Sequence, residues 1–497
     1  MAQETSILTT AAPPGRSPWP ALWALVIGFF MILVDATIVS VGVPAIMRGL
    51  DTGVNSVIWV TSAYLLSYAV PLLITGRLGD RIGPKWVYLI GLAVFTLSSL
   101  WCGLAPSITI LIVARVFQGL GASMMTPQTM TVITRTFPPH QRGRAMALWG
   151  AVAGIAGIVG PIAGGLLIDG PGWQWIFFIN VPVGAIAFVL AMRLVPRLET
   201  HAHRFDILGV LLSAAGMFTI VFGIQEGESY DWAGWIWGLI GIGVLLMIAF
   251  VIWQRFNKAE PLVPLGLFRD RNFSLSNVAI MAVGFMIIAM QLPFMLYAQT
   301  VRGFTPTQAA LLMLPNAIVG IALAPIVGRL VDLYHPRYLA GFGLLTDAVA
   351  LFWASRVLQP DTPVWHLLLP LTLLGVGTAF TFGPISVSAN RNLPMHQAGA
   401  GSGVFNAMRQ VGSVLGSAAI AALMESRLAA NLPAVPGGAS VSDAEFGTLP
   451  AQLKDGFATA MSQSLLMPAG VILIGFLVAI FLVAPKHLAQ GRPGGGH

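Results

Sequence analysis

Long apolar segments follow one another along the whole chain, with short polar stretches between them. A helix needs roughly 20 apolar residues to cross the hydrocarbon core of a bilayer, and fourteen segments of about that length can be counted. With 56% hydrophobic and only 9% charged residues, the composition is also that of a membrane protein. The sequence therefore predicts an all-α integral membrane protein with fourteen transmembrane helices. The segments lie at 20–43, 57–78, 86–105, 108–133, 143–168, 173–195, 205–225, 233–254, 273–300, 307–331, 338–358, 364–389, 398–424 and 462–484.

The basic residues are concentrated on one side of these segments. If the N-terminus is cytoplasmic, 19 of the 26 Lys and Arg residues fall in cytoplasmic stretches and five in external ones. The positive-inside rule then predicts that both termini are cytoplasmic in a multi-pass protein of the cell (plasma) membrane. Residues 1–18 are polar and precede no cleavage site, so we expect a tail and not a signal peptide. The net charge of +7 is explained by these loops and does not indicate nucleic acid as a partner.

A short string occurs twice at equivalent places. Residues 76–80 and 328–332 share the pattern G-R-L-x-D, after the second and tenth segments. Many secondary transporters are built from internal repeats with the substrate path between them. We therefore expect two six-helix bundles joined by two inserted helices. The predicted divisions are a cytoplasmic tail at 1–19, an N-terminal bundle at 20–195, a linker with two extra helices at 196–260, a C-terminal bundle at 261–484 and a second tail at 485–497.

Two acidic and two basic residues lie inside the apolar segments. A charge at the centre of a bilayer costs roughly 2.5–3.5 kcal/mol, so each is a candidate functional residue. Asp35 in the first segment and Arg115 in the fourth lie at the same depth if the segments alternate in direction, and so do Asp347 and Arg409. The first pair is a plausible proton site, and Asp347 is a further proton-coupling candidate. The alternatives are a static ion pair, an Asp35 that reaches the outer interface, and a structural Asp347.

Five motifs resemble those of the fourteen-helix drug:proton antiporters of the major facilitator superfamily. The loop string 76–85 is similar to that family's loop motif, and 33–39 with Pro44 to its first-helix motif. The stretches 115–121, 154–165 and 173–182 are similar to the motifs of its fourth, fifth and sixth helices. The resemblance implies the major facilitator fold, with two bundles that rock about a central substrate path.

The loop and fifth-segment motifs suggest a gate and a seal. Charges after the second and tenth segments would close the bundles on the cytoplasmic side, although such charges are also typical of a solvated turn. These gating candidates are Asp80, Arg77, Arg81, Asp332 and Arg329. Small residues every three or four positions in the fifth segment would permit close approach of a helix from the other bundle, or ordinary packing. They are Gly154, Gly160, Pro161, Gly164 and Gly165.

By analogy with the family, the first, fourth, ninth and twelfth segments line the cavity. Their Met, aromatic and amide side chains suit large amphipathic or cationic compounds. Taken singly, each of these residues fits a packing or lipid-facing position equally well. The cavity candidates are Phe30, Met31, Gln118, Met124, Met125, Gln128, Gln291, Phe294, Tyr297 and Phe380.

These patterns predict a proton-coupled secondary transporter that exports amphipathic or cationic drug-like compounds, with protons and membrane lipids as its other partners. The sequence has no G-x-x-x-x-G-K-[ST] string and no paired His/Cys spacing, so we expect no cofactor, no metal and no enzyme activity. Two alternatives stay open. The same antiport could export an endogenous lipid, siderophore or metabolite, or the protein could be a non-transporting sensor or scaffold.

Overall fold

A computed structural model describes residues 17–200, 206–257, 261–393, 398–432 and 450–483, apart from some side chains within these ranges. The described residues form α-helices and short 3₁₀ or π turns, with no strand among them. The α-helices are α1 (Trp19–Leu50), α2 (Val54–Ala69), α3 (Leu72–Ile82), α4 (Pro84–Gly103), α5 (Ile108–Thr136), α6 (Pro139–Asp169), α7 (Trp175–Phe178), α8 (Asn180–Leu194), α9 (Ile207–Glu226), α10 (Gly234–Phe256), α11 (Arg271–Leu296), α12 (Pro306–Leu312), α13 (Leu314–Leu333), α14 (Pro336–Val357), α15 (Val364–Asn390), α16 (Ala398–Asn431), α17 (Ala451–Ser464) and α18 (Leu466–Ala479).

The helices confirm a multi-pass membrane protein. Within the described ranges, twelve helical spans are long and apolar enough to cross a bilayer, and α2 and α3, bent by 51° at their break, bring the number to thirteen. The predicted fifth segment corresponds to α6, a helix of 31 residues. Several side chains of its first half lie outside the described residues, and its described apolar part, Ile155–Asp169, is shorter than a membrane span. All-helical architecture is thus confirmed, while length and hydropathy do not establish the count of fourteen.

Proline accounts for several of the breaks. Pro71 immediately precedes α3, and Pro293 precedes the π turn Tyr297–Val301 at the end of α11. Pro315 lies in the first turn of α13, and Pro468 in that of α18. Proline lacks a backbone N–H and clashes with the preceding turn of a helix, so a continuous helix is disfavoured at each of these points.

The helices pack as two groups with a pair between them. In the first half, α4 packs on α5 and α1 on α6, whereas in the second half α14 packs on α15 and α11 on α16. The inserted helices α9 and α10 pack on each other, and α9 also touches α2 and α16. Asp206, which caps α9, accepts hydrogen bonds from Trp253 and Gln254 of α10 at 2.6 and 2.7 Å.

The two halves meet tightly at one end of the bundle. We call the end that bears residues 76–85 the motif end. At the opposite end, Asp169 accepts a hydrogen bond from the Thr307 backbone N–H at 3.1 Å, and Gln299 donates to the Val41 carbonyl at 3.0 Å. Deeper in the bundle, the Ser62 and Ser417 hydroxyls are 2.8 Å apart. The halves are therefore closed against each other from the bundle interior to the opposite end.

Candidate functional site

Asp35 and Arg115 form an ion pair in the middle of the first half. Arg115 Nη1 is 2.5 Å from Asp35 Oδ2, and both residues are fully buried, with 0% of their surface exposed. The depth count from the sequence placed them at the same level, and the structure puts them in contact. Because the pair joins α1 to α5, a change in the charge of either residue acts on both helices.

Neutral polar groups form hydrogen bonds with the other charged atoms of the Asp35–Arg115 pair. The other oxygen of Asp35, Oδ1, accepts hydrogen bonds from Gln118 Nε2 at 2.9 Å and Asn180 Nδ2 at 3.0 Å. Gln118 lies one helical turn after Arg115 on the same face of α5, and its Oε1 accepts from Arg115 Nη1 at 2.7 Å. Arg115 Nε donates to the Val60 carbonyl at 3.0 Å. Every charge in this network therefore has a close partner, as a buried ion pair requires.

Asn180 is the member of the network that sequence reasoning missed. It was noted only as part of the motif 173–182, without a role. It begins α8, where the short helix α7 ends, and also donates to Ser99 at 3.0 Å. An amide in an apolar segment was the available signal, but the sequence could not show which helix it faces.

The surroundings seal Asp35 from the space between the halves. The Tyr64 ring lies 4.0 Å from the Arg115 guanidinium, and Cys102 Sγ is 3.5 Å from Gln118 Oε1. A small inter-half cavity of about 30 Å³ is lined by Ala36 and Ser40 of α1 and by residues of α2, α11 and α16. That volume suits about one water molecule. Asp35 points away from this cavity, so the hypothesis that it is wetted from the central path is not met in this conformation.

Asp347 occupies a different environment. It is fully buried and accepts one hydrogen bond, from Thr381 at 2.9 Å, while its Oδ1 has no donor. Arg409, which shares its predicted depth, forms no ion pair with it: neither of the two ion pairs among the described residues includes Arg409. Asp347 contacts α15, whereas the Arg409 backbone packs against Gly284 of α11. Equal depth did not bring these two residues together.

The gating candidate Asp80 pairs within its own half. Its carboxylate accepts a hydrogen bond from Arg135 of α5 at 2.6 Å, and both side chains are about 30% exposed. Arg77 donates to the carbonyl of Pro261, the first residue of the predicted C-terminal bundle. Arg135 was counted from the sequence only as a basic residue.

Two of the other gating candidates are exposed, and the side chain of the third lies outside the described residues. Arg81 and Arg329 are exposed. The side chain of Asp332 lies outside the described residues, so the second copy of the motif cannot be compared with the first.

The glycines of α6 face two different neighbours. A Cβ at Gly160 would lie 2.0 Å from Thr37 Oγ1, and one at Gly164 would lie 2.7 Å from Ile38 Cγ1, both on α1. A Cβ at Gly165 would lie 2.5 Å from Thr307 Cα, in the other half. The expected contact between halves is thus made at Gly165, while the first two glycines serve packing within the first half. Pro161 is buried inside the helix, and the surroundings of Gly154 lie outside the described residues.

The cavity candidates do not converge on one site in this conformation. Gln291 lines the inter-half cavity, and Gln118 belongs to the Asp35 network. Gln128 donates to the Thr75 carbonyl at 2.7 Å, and Tyr297 to the Gln359 carbonyl at 2.6 Å. The remaining candidates are buried or half-buried among apolar neighbours, and they are Phe30, Met31, Met124, Met125, Phe294 and Phe380.

Comparison with known proteins decides the family. A family model described as the Major Facilitator Superfamily matches residues 25–417. The chain belongs to that superfamily. Membership of the Major Facilitator Superfamily makes the protein a multi-pass membrane transporter and not an enzyme.

Relatives within the superfamily include resistance proteins. An uncharacterised MFS-type transporter of Mycobacterium tuberculosis is 54% identical over 472 residues, which cover 94% of this chain and 81% of that protein. The tetracenomycin C resistance and export protein of Streptomyces glaucescens is 32% identical, covering 93% and 91% of the two chains. The resemblance to drug:proton antiporters deduced from the motifs is consistent with such relatives.

The solved structures agree on the fold. The crystal structure of a bacterial homologue of the human lysosomal transporter Spinster superposes with a TM-score of 0.62 and 17% identity, covering 97% of this chain and all of that one. At this identity the likeness shows only that the major facilitator fold is shared.

Proposed function

We propose that this transporter is a proton-coupled exporter of amphipathic or cationic compounds that works by alternating access. The observation that supports it is the buried Asp35–Arg115 pair, which joins two helices of one half by a charge that a proton can cancel. The tetracenomycin C export protein and the multidrug resistance protein Stp of Mycobacterium tuberculosis, 34% identical over 426 residues, support export of drug-like compounds.

Protonation of Asp35 would change the forces on α1. A neutral Asp35 leaves the Arg115 guanidinium in a buried site without its counter-charge, and breaking a buried pair in this way costs about 3–5 kcal/mol. Arg115 must then move or find another acceptor. Because α1 also lines the inter-half cavity at Ala36 and contacts Gln299 through the Val41 carbonyl, the rearrangement would be transmitted to the interface.

Proton exchange belongs to another conformation than this one. Asp35 is sealed here, so a proton reaches it only when α1, α5 or their neighbours separate enough to admit water. Exchange that is forbidden while the halves are closed and allowed after they move is what coupling requires, since it ties the proton to the conformational change.

In the same cycle, we propose roles for the other predicted residues and divisions of the chain. Asp80, Arg77 and Arg81 with their counterparts Arg329 and Asp332 act as the gate at the motif end, and the seal at the opposite end includes Gly165. The motif end and both termini are cytoplasmic, in the plasma membrane. The moving bodies are residues 20–195 and 261–484, and 196–260 joins them.

The proton gradient supplies enough energy. One proton that moves through about 100 mV releases about 2.3 kcal/mol, which corresponds to a substrate gradient of about 50-fold at 1.4 kcal/mol per decade. A single titrating carboxylate is therefore sufficient for useful export.

Proteoliposomes with an imposed pH gradient test the proposal. The purified chain should move a fluorescent amphipathic cation against its gradient, and the movement should stop when an ionophore collapses the pH difference. Asp35→Asn should abolish coupled movement by removing the titrating group. Asp51→Asn is the matched control because Asp51 ends the same helix, is exposed, and has a φ of 48° that Asn tolerates.

The outcomes separate the alternatives. Full gradient-driven transport by Asp35→Asn would remove Asp35 from the mechanism. Coupled proton flux with an endogenous lipid or metabolite, and none with drug-like cations, would favour the same antiport with another cargo. No transport of any compound by a folded wild-type protein would favour a sensor or scaffold.

A further inference from the structure

Arg409 is a half-buried cation inside the bundle, and its guanidinium has no hydrogen-bond or ion-pair partner among the described residues. It lies eleven residues into α16, roughly 17 Å along the helix axis. Its Nε is buried without an acceptor, and no described side chain or carbonyl forms a hydrogen bond or ion pair with its guanidinium. A charged group at such a depth is costly, and so is a buried donor that lacks an acceptor. Arg409 in this position does not stabilise the fold, so its presence there requires another explanation.

Arg115 provides the comparison, because it is a buried arginine whose guanidinium has acceptors within the protein. Its guanidinium has Asp35, Gln118 and the Val60 carbonyl as acceptors, with the Tyr64 ring on one face. Neither Asp35 nor Asp347 is placed to do this for Arg409. Asp35 is engaged by Arg115, and Asp347 lies against α15. The acceptor for Arg409 is therefore absent from the described part of the chain.

Arg409 lies on α16, the helix of the second half that packs against α2 of the first half. Tyr68 of α2 is close enough to interact with it electrostatically, and the Tyr68 hydroxyl is 2.9 Å from Thr126 of α5. Eight residues further along α16, about 12 Å away, Ser417 lines the inter-half cavity. The substrate path of a transporter with two such halves runs between them. Arg409 is thus placed on that path, on the motif-end side of the cavity.

The face of α16 that meets the first half is apolar. Ala407, Val411 and Val414 of α16 pack in one cluster with Leu65 and Met125 of the first half. A single cation with a hydroxyl close by, on a helix that also carries this aliphatic and thioether surface, matches an oxyanion attached to an apolar body. The planar guanidinium can bind a carboxylate, sulfonate or phosphate through two parallel hydrogen bonds.

We propose that Arg409 is the anion-binding group of the transport path and pairs with the oxyanion of an anionic amphiphile. This inference rests on the proposed transport function and narrows its substrate class from amphipathic or cationic compounds to amphiphiles in which negative charge is preferred over positive charge. The oxyanion can belong to a free carboxylate compound or to the headgroup of an anionic lipid, and the test distinguishes these sources.

Binding of three pyrene probes tests the proposal. Pyrenebutyrate, pyrenebutanol and pyrenebutyl-trimethylammonium have the same apolar body and differ in charge. With the full chain in phosphatidylcholine nanodiscs, the wild type should bind the anion about 10- to 100-fold more tightly than the alcohol, the factor expected for hydrogen bonds to a charged group. Arg409→Gln should bring the anion's dissociation constant to that of the alcohol and leave the alcohol's unchanged. Arg409→Lys should retain part of the preference.

The controls make the result specific to this position. Arg427→Gln removes an exposed arginine from the same helix and should change none of the three constants. Unchanged binding of the alcohol shows that Arg409→Gln is folded. If phosphatidylglycerol in the nanodiscs competes with pyrenebutyrate in the wild type and not in Arg409→Gln, the oxyanion is a lipid headgroup. If it does not compete, the oxyanion belongs to a free compound.

Two results would overturn the inference. Equal affinity of the wild type for all three probes would show that the site does not read charge. Equal loss of all three probes in Arg409→Gln would assign the residue a structural role. Because binding needs no pH gradient, failure of proton coupling would leave this test unaffected, and failure of the anion preference would leave coupled export of the cation intact.

Discussion

Asp35 and Asp347, one buried carboxylate from each half, contrast in what surrounds them. Asp35 in the first half has a counter-charge at 2.5 Å and two amide donors, whereas Asp347 in the second half has one hydroxyl donor and an oxygen without any. Cancelling the charge of Asp35 leaves Arg115 unbalanced and so must rearrange its neighbours. No described cation would be left unbalanced by a change at Asp347. We therefore propose that the first half is the coupling half and that Asp347 has a structural role.

The largest expected effect comes from removing the cation. Arg115→Gln leaves Asp35 buried without a counter-charge, and we expect the free energy of unfolding to fall by about 3–5 kcal/mol. The double variant Asp35→Asn/Arg115→Gln should recover part of that loss because no isolated charge remains. Chemical denaturation in detergent would measure both. Equal stability of the single variant and the wild type would show that the pair is not coupled as described.

A second prediction concerns the seal opposite the motif end, where Gly165 of α6 contacts the other half. A Cβ at Gly165 meets the Thr307 backbone, so Gly165→Ala should keep the halves from closing fully and slow transport, with a destabilisation of about 1–3 kcal/mol as for other overpacked sites. Gly157→Ala is the matched control in the same helix, because no atom lies within 4 Å of its Cβ position. Transport rates in proteoliposomes would compare them. Equal transport rates of Gly165→Ala and Gly157→Ala would show that tight closure at Gly165 is not needed for the transport cycle.

The variant Asp347→Asn tests the contrast between Asp35 and Asp347. Asn retains an oxygen that can accept from Thr381, so the free energy of unfolding should change by about 1 kcal/mol or less, the value of a single hydrogen bond. Gradient-driven transport should stay close to that of the wild type, unlike in Asp35→Asn. Loss of coupling in Asp347→Asn, in the same proteoliposome assay, would break the distinction between the two halves.

The smallest effect on stability is expected at the exposed pair. Asp80 and Arg135 are both partly exposed, and such pairs contribute about 0–1 kcal/mol. Asp80→Asn should therefore leave unfolding nearly unchanged and still lower the turnover rate, if the pair helps to gate the motif end. Substrate affinity and turnover measured separately would decide this. A changed affinity at normal turnover would contradict a gate.

Depth along the membrane could be read from the sequence, and direction around each helix could not. Counting residues placed Asp35 level with Arg115, and they are in contact. The same count paired Asp347 with Arg409, which face different helices, because a helix at the right height can be rotated to any neighbour. Rotation depends on packing across the whole bundle. It also explains why Asn180 was missed and why Gly160 and Gly164 contact α1 instead of the other half.

The apolar segments themselves were a stronger signal than any single residue. Their length and spacing predicted the helical membrane fold, since a bilayer admits few other arrangements of such a chain. Breaks within segments, such as that between α2 and α3 after Pro71, were absent from the prediction, because proline bends a membrane helix only when neighbours can accommodate the freed carbonyl.

The chain's single thiol lies beside the charge network, with Cys102 Sγ 3.5 Å from Gln118 and no exposed surface. A membrane-permeant maleimide can therefore alkylate the wild-type protein only while that core is breached. The labelling rate, measured by mass spectrometry, therefore reports how often the core opens enough for hydrogen ions to enter. No reporter has to be engineered into the transporter for this measurement.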